Sequence, residues 1–106
     1  MAQFVKVTTV DDVPPETMKG FEVENLDIVV VNTGGQFYAL SNICTHAFCY
    51  MSYGIIDGDA IICTCHGADY ALEDGKSLST MADKPLATYE VQINGNDISI
   101  SIPDQS

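Results

Sequence analysis

A chain of 106 residues, 46% of them hydrophobic and only 18% charged, has enough apolar material for one packed core and no room for two domains of ordinary size. Fifteen carboxylates against four lysines, with no arginine, give a net charge of −11, so neither nucleic acid nor an anionic membrane surface is expected as a partner. The longest apolar runs, such as 28–31, fall far short of the roughly 20 residues that span a bilayer. The first twelve residues also lack the apolar block of a secretory signal, and a cytoplasmic location is expected.

Short runs of β-branched and aromatic residues recur along the chain, and no eleven-residue window carries a helical apolar stripe, so the fold class is read as all-β. The predicted strands are 4–8, 20–24, 27–31, 37–41, 60–63, 89–93 and 97–101. Between the first two, residues 11–17 contain Pro14 and Pro15 and are predicted to form one helical turn. Turns are predicted at Thr33-Gly34-Gly35, Asp57-Gly58-Asp59, Asp74-Gly75 and Asn94-Gly95-Asn96, because glycine and asparagine supply the positive φ of tight hairpins. At least three of these are expected to be hairpins. From the end of the fourth strand to Lys84 the alternation breaks, and this stretch holds every cysteine and both histidines. Function is expected there.

The donors form two groups, Cys44-Thr45-His46 with Cys49, and Cys63-Thr64-Cys65-His66, all within twenty-three positions. Such a concentration of thiolate and imidazole is what a transition-metal site requires. Cys44-x-His46 and Cys63-x-x-His66 each present one sulfur and one imidazole on a short loop, making a Cys2His2 set of mixed pairs. A structural zinc is a second reading of these four residues, although zinc fingers pair like with like. A third reading is a redox-sensing dithiol protein using Cys49 and Cys65.

In its order and spacing the set resembles the Rieske [2Fe–2S] proteins, in which two cysteines hold one iron and two histidines the other. Gly67 completes the family's Cys-x-x-His-Gly pattern, and the likeness covers about residues 37–100. The resemblance implies an antiparallel β sandwich or partial barrel spanning 1–106, with a cluster-binding subdomain of two loops at about 42–84. It implies one [2Fe–2S] cluster on Cys44, His46, Cys63 and His66, and a disulfide between Cys49 and Cys65 as in bc-type members. Tyr70 stands where high-potential members have a tyrosine bonded to a ligating cysteine, and Ala68 where they have a serine that donates to a sulfide. Phe48, Tyr50, Met51 and Tyr53 crowd the first loop, either as ordinary packing or as a dry cover. Thr80-Met81-Ala82 stands near the place of the family's usual Gly-Pro segment.

Two ferric ions, two sulfides, two thiolates and two neutral imidazoles carry no net charge, so an added electron is opposed less than in an all-cysteine cluster. The length leaves no space for the extra iron domain of oxygenase α subunits, and the resemblance narrows to a stand-alone ferredoxin. That implies a carrier, not an enzyme, working between a reductase and a terminal oxygenase or other redox protein. At least one of these would offer a basic docking face. The small subunit of a nitrite reductase-like enzyme is the alternative within the family.

Overall fold

The computed structural model describes residues 3–43, 49–64, 68–78 and 85–102. Among these described residues ten strands run in chain order: β1 (Gln3–Thr9), β2 (Thr17–Val23), β3 (Leu26–Thr33), β4 (Gln36–Ser41), β5 (Ile55–Asp57), β6 (Ala60–Ile62), β7 (Asp69–Ala71), β8 (Thr88–Tyr89), β9 (Val91–Asn94) and β10 (Asp97–Ile102). They form three antiparallel sheets, ordered β1-β10-β9, β2-β3-β4-β8 and β5-β6-β7. The only helical elements among the described residues are 3-10 turns at Val10–Asp12 and Met51–Tyr53. The all-β reading holds, and no described helix is long and apolar enough to cross a membrane.

The centre is β3, which is buried on both faces and therefore reads as a continuous apolar run rather than an alternation. Ile28 and Val30 point into a core shared with Val13, Ala39, Ile98, Ile100 and Ile102, between the first two sheets. Val29 and Val31 point the other way, into a second core with Leu40, Met51, Ile61, Cys63, Ala68, Tyr70, Leu72 and Leu86. One strand thus carries both cores. In β10 the burial alternates strictly, with Ile98, Ile100 and Ile102 turned inward. A register shift between Lys6 and Thr8 interrupts β1 against β10, and Val5, Val7 and Val10 all pack on the first core.

Gly34 and Gly35 both have positive φ, 61° and 79°, as a two-residue hairpin between β3 and β4 requires. Gly58 and Gly95 serve the β5–β6 and β9–β10 turns in the same way. Between β2 and β3 the left-handed positions fall to Glu24 and Asn25, at φ 51° and 67°.

Three expectations are corrected. The helical turn foreseen at 11–17 is a 3-10 turn at Val10–Asp12; Pro14 and Pro15 follow it, and the chain reverses through Glu16 at φ 61° into β2. The strand foreseen at 89–93 is two strands broken at Glu90, because β8 pairs with β4 in one sheet while β9 pairs with β10 in another. The three-residue strands β5 and β7 were not foreseen, since neither is long enough to show a period and each is held by its pairing with β6.

Candidate metal centre

Among the described residues, three sets of backbone contacts pin the chain on the side of the second core. The first joins Ile43 to Tyr50, which form an antiparallel bridge. Below it the Met51 N–H donates to the Asn42 carbonyl at 2.6 Å, and the Asn42 N–H to the Asp27 carbonyl at 2.8 Å. The buried Asn42 side chain accepts from the Ser52 N–H at 2.7 Å, so one residue ties this base to β3 and to the following 3-10 turn. Gly20 of β2 makes this possible, because a Cβ there would lie 2.6 Å from Asn42 Nδ2.

The second lies between the end of β6 and the start of β7. Its base is the bond from the Cys63 N–H to the Ala68 carbonyl, 2.7 Å. Cys63 is 1% exposed, and Ala68 and Tyr70 are fully buried in the same core. Gly54 lets the preceding turn press against β6; a Cβ there would collide with the Ile62 carbonyl oxygen.

The third base lies between Leu78 and Leu86. The Leu78 N–H donates to Asp69, the Gly75 N–H to Ala71 and the Leu86 N–H to Gly75, at 2.9, 2.8 and 2.7 Å. Gly75 is buried at φ +74°, and a Cβ would strike the Leu86 carbonyl oxygen. Here the turn anticipated at Asp74-Gly75 is also a close-packing point, which no sequence signal distinguishes from an ordinary hairpin.

Of the residues singled out in the sequence, the structure brings Cys63, Ala68 and Tyr70 into one buried cluster with Met51, and Cys49 packs against its margin. Tyr50 and Tyr53 are exposed, so among the described first-loop residues only Met51 belongs to the dry interior. Cys44, His46, Phe48, Cys65, His66, Gly67 and Thr80-Met81-Ala82 lie outside the described residues. Sequence reasoning missed Asn42, whose importance appears only once its backbone and side chain are seen to bond two distant segments, β3 and the 3-10 turn at Met51–Tyr53.

Residues 3–90 match the family of the Rieske [2Fe-2S] domain. The chain belongs to that family. Its cofactor is one Rieske-type [2Fe–2S] cluster. The residues present suit such a group: Cys63 offers a soft sulfur donor at a loop base, shielded from water by an apolar core.

The chain is 41% identical over 78 residues to the 3-phenylpropionate/cinnamic acid dioxygenase ferredoxin subunit of Escherichia coli strain K12, covering 73% of this chain and 74% of that one. The subunit of the same name from Shigella flexneri matches equally. Among solved structures, the ferredoxin of carbazole 1,9a-dioxygenase from Nocardioides aromaticivorans IC177 superposes with a TM-score of 0.86 at 28% identity, over 92% of this chain and 96% of that one. A complex of reduced oxygenase and oxidized ferredoxin in carbazole 1,9a-dioxygenase contains a chain that superposes at 0.85 with 30% identity, over 92% of both chains. A nitrite reductase small subunit from Mycobacterium tuberculosis reaches 0.86 at 15% identity, over 98% of each chain, a likeness of fold alone.

Proposed function

We propose that this Rieske protein is a ferredoxin, a one-electron carrier between a reductase and a terminal oxygenase, and not itself a catalyst. The observation that carries this reading is the 41% identity to dioxygenase ferredoxin subunits along three quarters of their length. It is supported by the superposition on a ferredoxin in complex with its oxygenase.

The proposed ligands are Cys44 and Cys63 for one iron and His46 and His66 for the other. When bound, the cluster supplies a centre that accepts and releases a single electron at modest electrostatic cost. Cys63 holds its place through its backbone bond to Ala68, and the surrounding core keeps water from the sulfur. The division into a sheet body and a cluster-binding subdomain at about 42–84 is supported by the two separate cores on the faces of β3. A disulfide between Cys49 and Cys65 is proposed as well; its support is that Cys49 packs against the core in which Cys63 is buried.

We further propose a cytoplasmic location for the carrier. At least one partner is proposed to dock through a basic face, an inference supported by the net charge of −11.

The test is the purified protein's composition. A red-brown protein with about two irons and two acid-labile sulfides per chain and a reversible one-electron wave is expected. A colourless zinc protein, or a two-electron thiol couple without iron, overturns the reading.

A further inference from the structure

An open groove of about 400 Å³ runs along β2 beside the base of the first pinned loop. Its floor is shaped by Gly20, where the missing side chain admits Asn42 and Ser52. Tyr50 and Tyr53 line it, their rings perpendicular at 83° with centroids 6.0 Å apart. Both are exposed, Tyr53 by 79%, so folding leaves this aromatic pair largely in water.

Two carboxylates share the groove. Glu22 and Asp27 are register partners across β2 and β3, and directly opposed residues lie on the same face of a sheet. Like charges in that relation destabilise a strand pair. No described cation relieves them: Lys19 also borders the groove, but it bonds Asp12 at 2.8 Å and lies over the Phe21 ring at 5.7 Å, and Lys6 pairs with Asp97.

We propose that the groove seats an arginine side chain from a loop of a redox partner, with the guanidinium against the Tyr50 and Tyr53 rings and paired with Glu22 and Asp27. This rests on the carrier reading and adds to it a specific site on the flank of the molecule. A planar, weakly hydrated guanidinium stacks on aromatic faces while its fork bonds two carboxylates, whereas an ammonium is a compact, strongly hydrated point charge with no flat face to stack. The chain contributes no arginine of its own, so the occupant comes from another protein.

The test is a chemical-shift titration of the oxidised holoprotein at low ionic strength with the peptides Ac-Gly-Arg-Gly-NH2 and Ac-Gly-Lys-Gly-NH2. Saturable shifts from the arginine peptide are expected at the amides of Gly20, Glu22, Asp27, Ser52 and Tyr53, with weaker binding of the lysine peptide. Tyr53→Ala and Asp27→Asn should each weaken the arginine peptide about two- to fivefold. Glu73→Gln, which removes one charge elsewhere, should leave it unchanged. The proposal is overturned if the shifts spread over the acidic surface, if lysine binds as well as arginine, or if Glu73→Gln weakens binding as much as Asp27→Asn. Because Tyr53 is so exposed, its truncation leaves the core intact and a negative result is readable. The iron content of the same sample reports on the carrier reading separately: peptide binding lost with a normal cluster sinks the groove alone.

Discussion

Asn42 and Tyr70 are both buried beside the proposed site, each in a different setting. Asn42 is buried and holds the Ser52 N–H with its side-chain oxygen. Asn42→Ala should cost about 1–3 kcal/mol in thermal unfolding, since it leaves that amide without its acceptor. Tyr70 is fully buried beside Cys63 and Ala68 in one cluster. On the proposed ligand set, Tyr70→Phe should lower the reduction potential by removing a hydroxyl donor, and Ala68→Ser should raise it by adding one. Protein-film voltammetry of the two variants decides this; two unchanged midpoints with intact spectra would exclude hydrogen-bond tuning by these positions. Cys63→Ser should abolish the cluster, read as lost iron and visible absorption. Cys49→Ser should still assemble it, because the cluster would itself tie both loops, so the loss stays below the roughly 3 kcal/mol expected for closing a loop of about 15 residues.

At the level of elements, the turns carry more specificity than the strands. Gly75 combines φ +74° with contact against the Leu86 backbone, so Gly75→Ala adds a left-handed penalty of about 1–2 kcal/mol to a collision with a carbonyl that cannot rotate away cheaply. A loss of at least that size is expected in thermal unfolding, whereas Gly58→Ala, with open space around its Cβ position, should cost only the backbone term. Glu16 is held differently. Its carboxylate accepts from Thr33 Oγ1 at 2.7 Å and from the Gly34 N–H at 3.0 Å, clamping the entry to β2 onto the β3–β4 hairpin. These bonds, the Thr33 hydroxyl first, hold its pKa below the ordinary glutamate value. The Asp12 carboxyl is likewise lowered, by Lys19 first and then Thr8. A carboxyl that binds its proton less readily when folded contributes fully above the ordinary carboxylate range, and the contribution is lost as the pH falls through its folded value. Stability should therefore decline on acidification below about pH 4.5, with a shallower slope in Glu16→Gln, measured by urea unfolding across that range.

For the whole molecule the governing quantity is charge. With a net −11 and only four lysines, two of them already in ion pairs with Asp97 and Asp12, the surface attracts a basic partner from a distance. Exposed charges are screened over about 10 Å at 0.1 M salt and about 3 Å at 1 M. The second-order rate of reduction by the cognate reductase, followed by stopped flow, should fall severalfold over that range. A rate independent of salt would remove the basic docking face from the proposal.

The strands that were legible in the sequence are those whose residues are sorted by water. In β1, β3, β4 and β10 the apolar positions follow the face or faces they bury, and glycine marked the turns between them because the positive φ of a hairpin has a covalent signature. The Rieske-type cluster was legible for a similar reason: soft donors have few other uses at such density. The tertiary structure alone decided that β3 faces two cores, that the chain changes sheets at Glu90, and that β5 and β7 exist at all. It alone set Asn42 beneath the first loop and opposed Glu22 to Asp27 beside two exposed tyrosines. Each of these depends on which distant segments meet, and a local pattern records only the side a residue turns to water, not the neighbour it finds there.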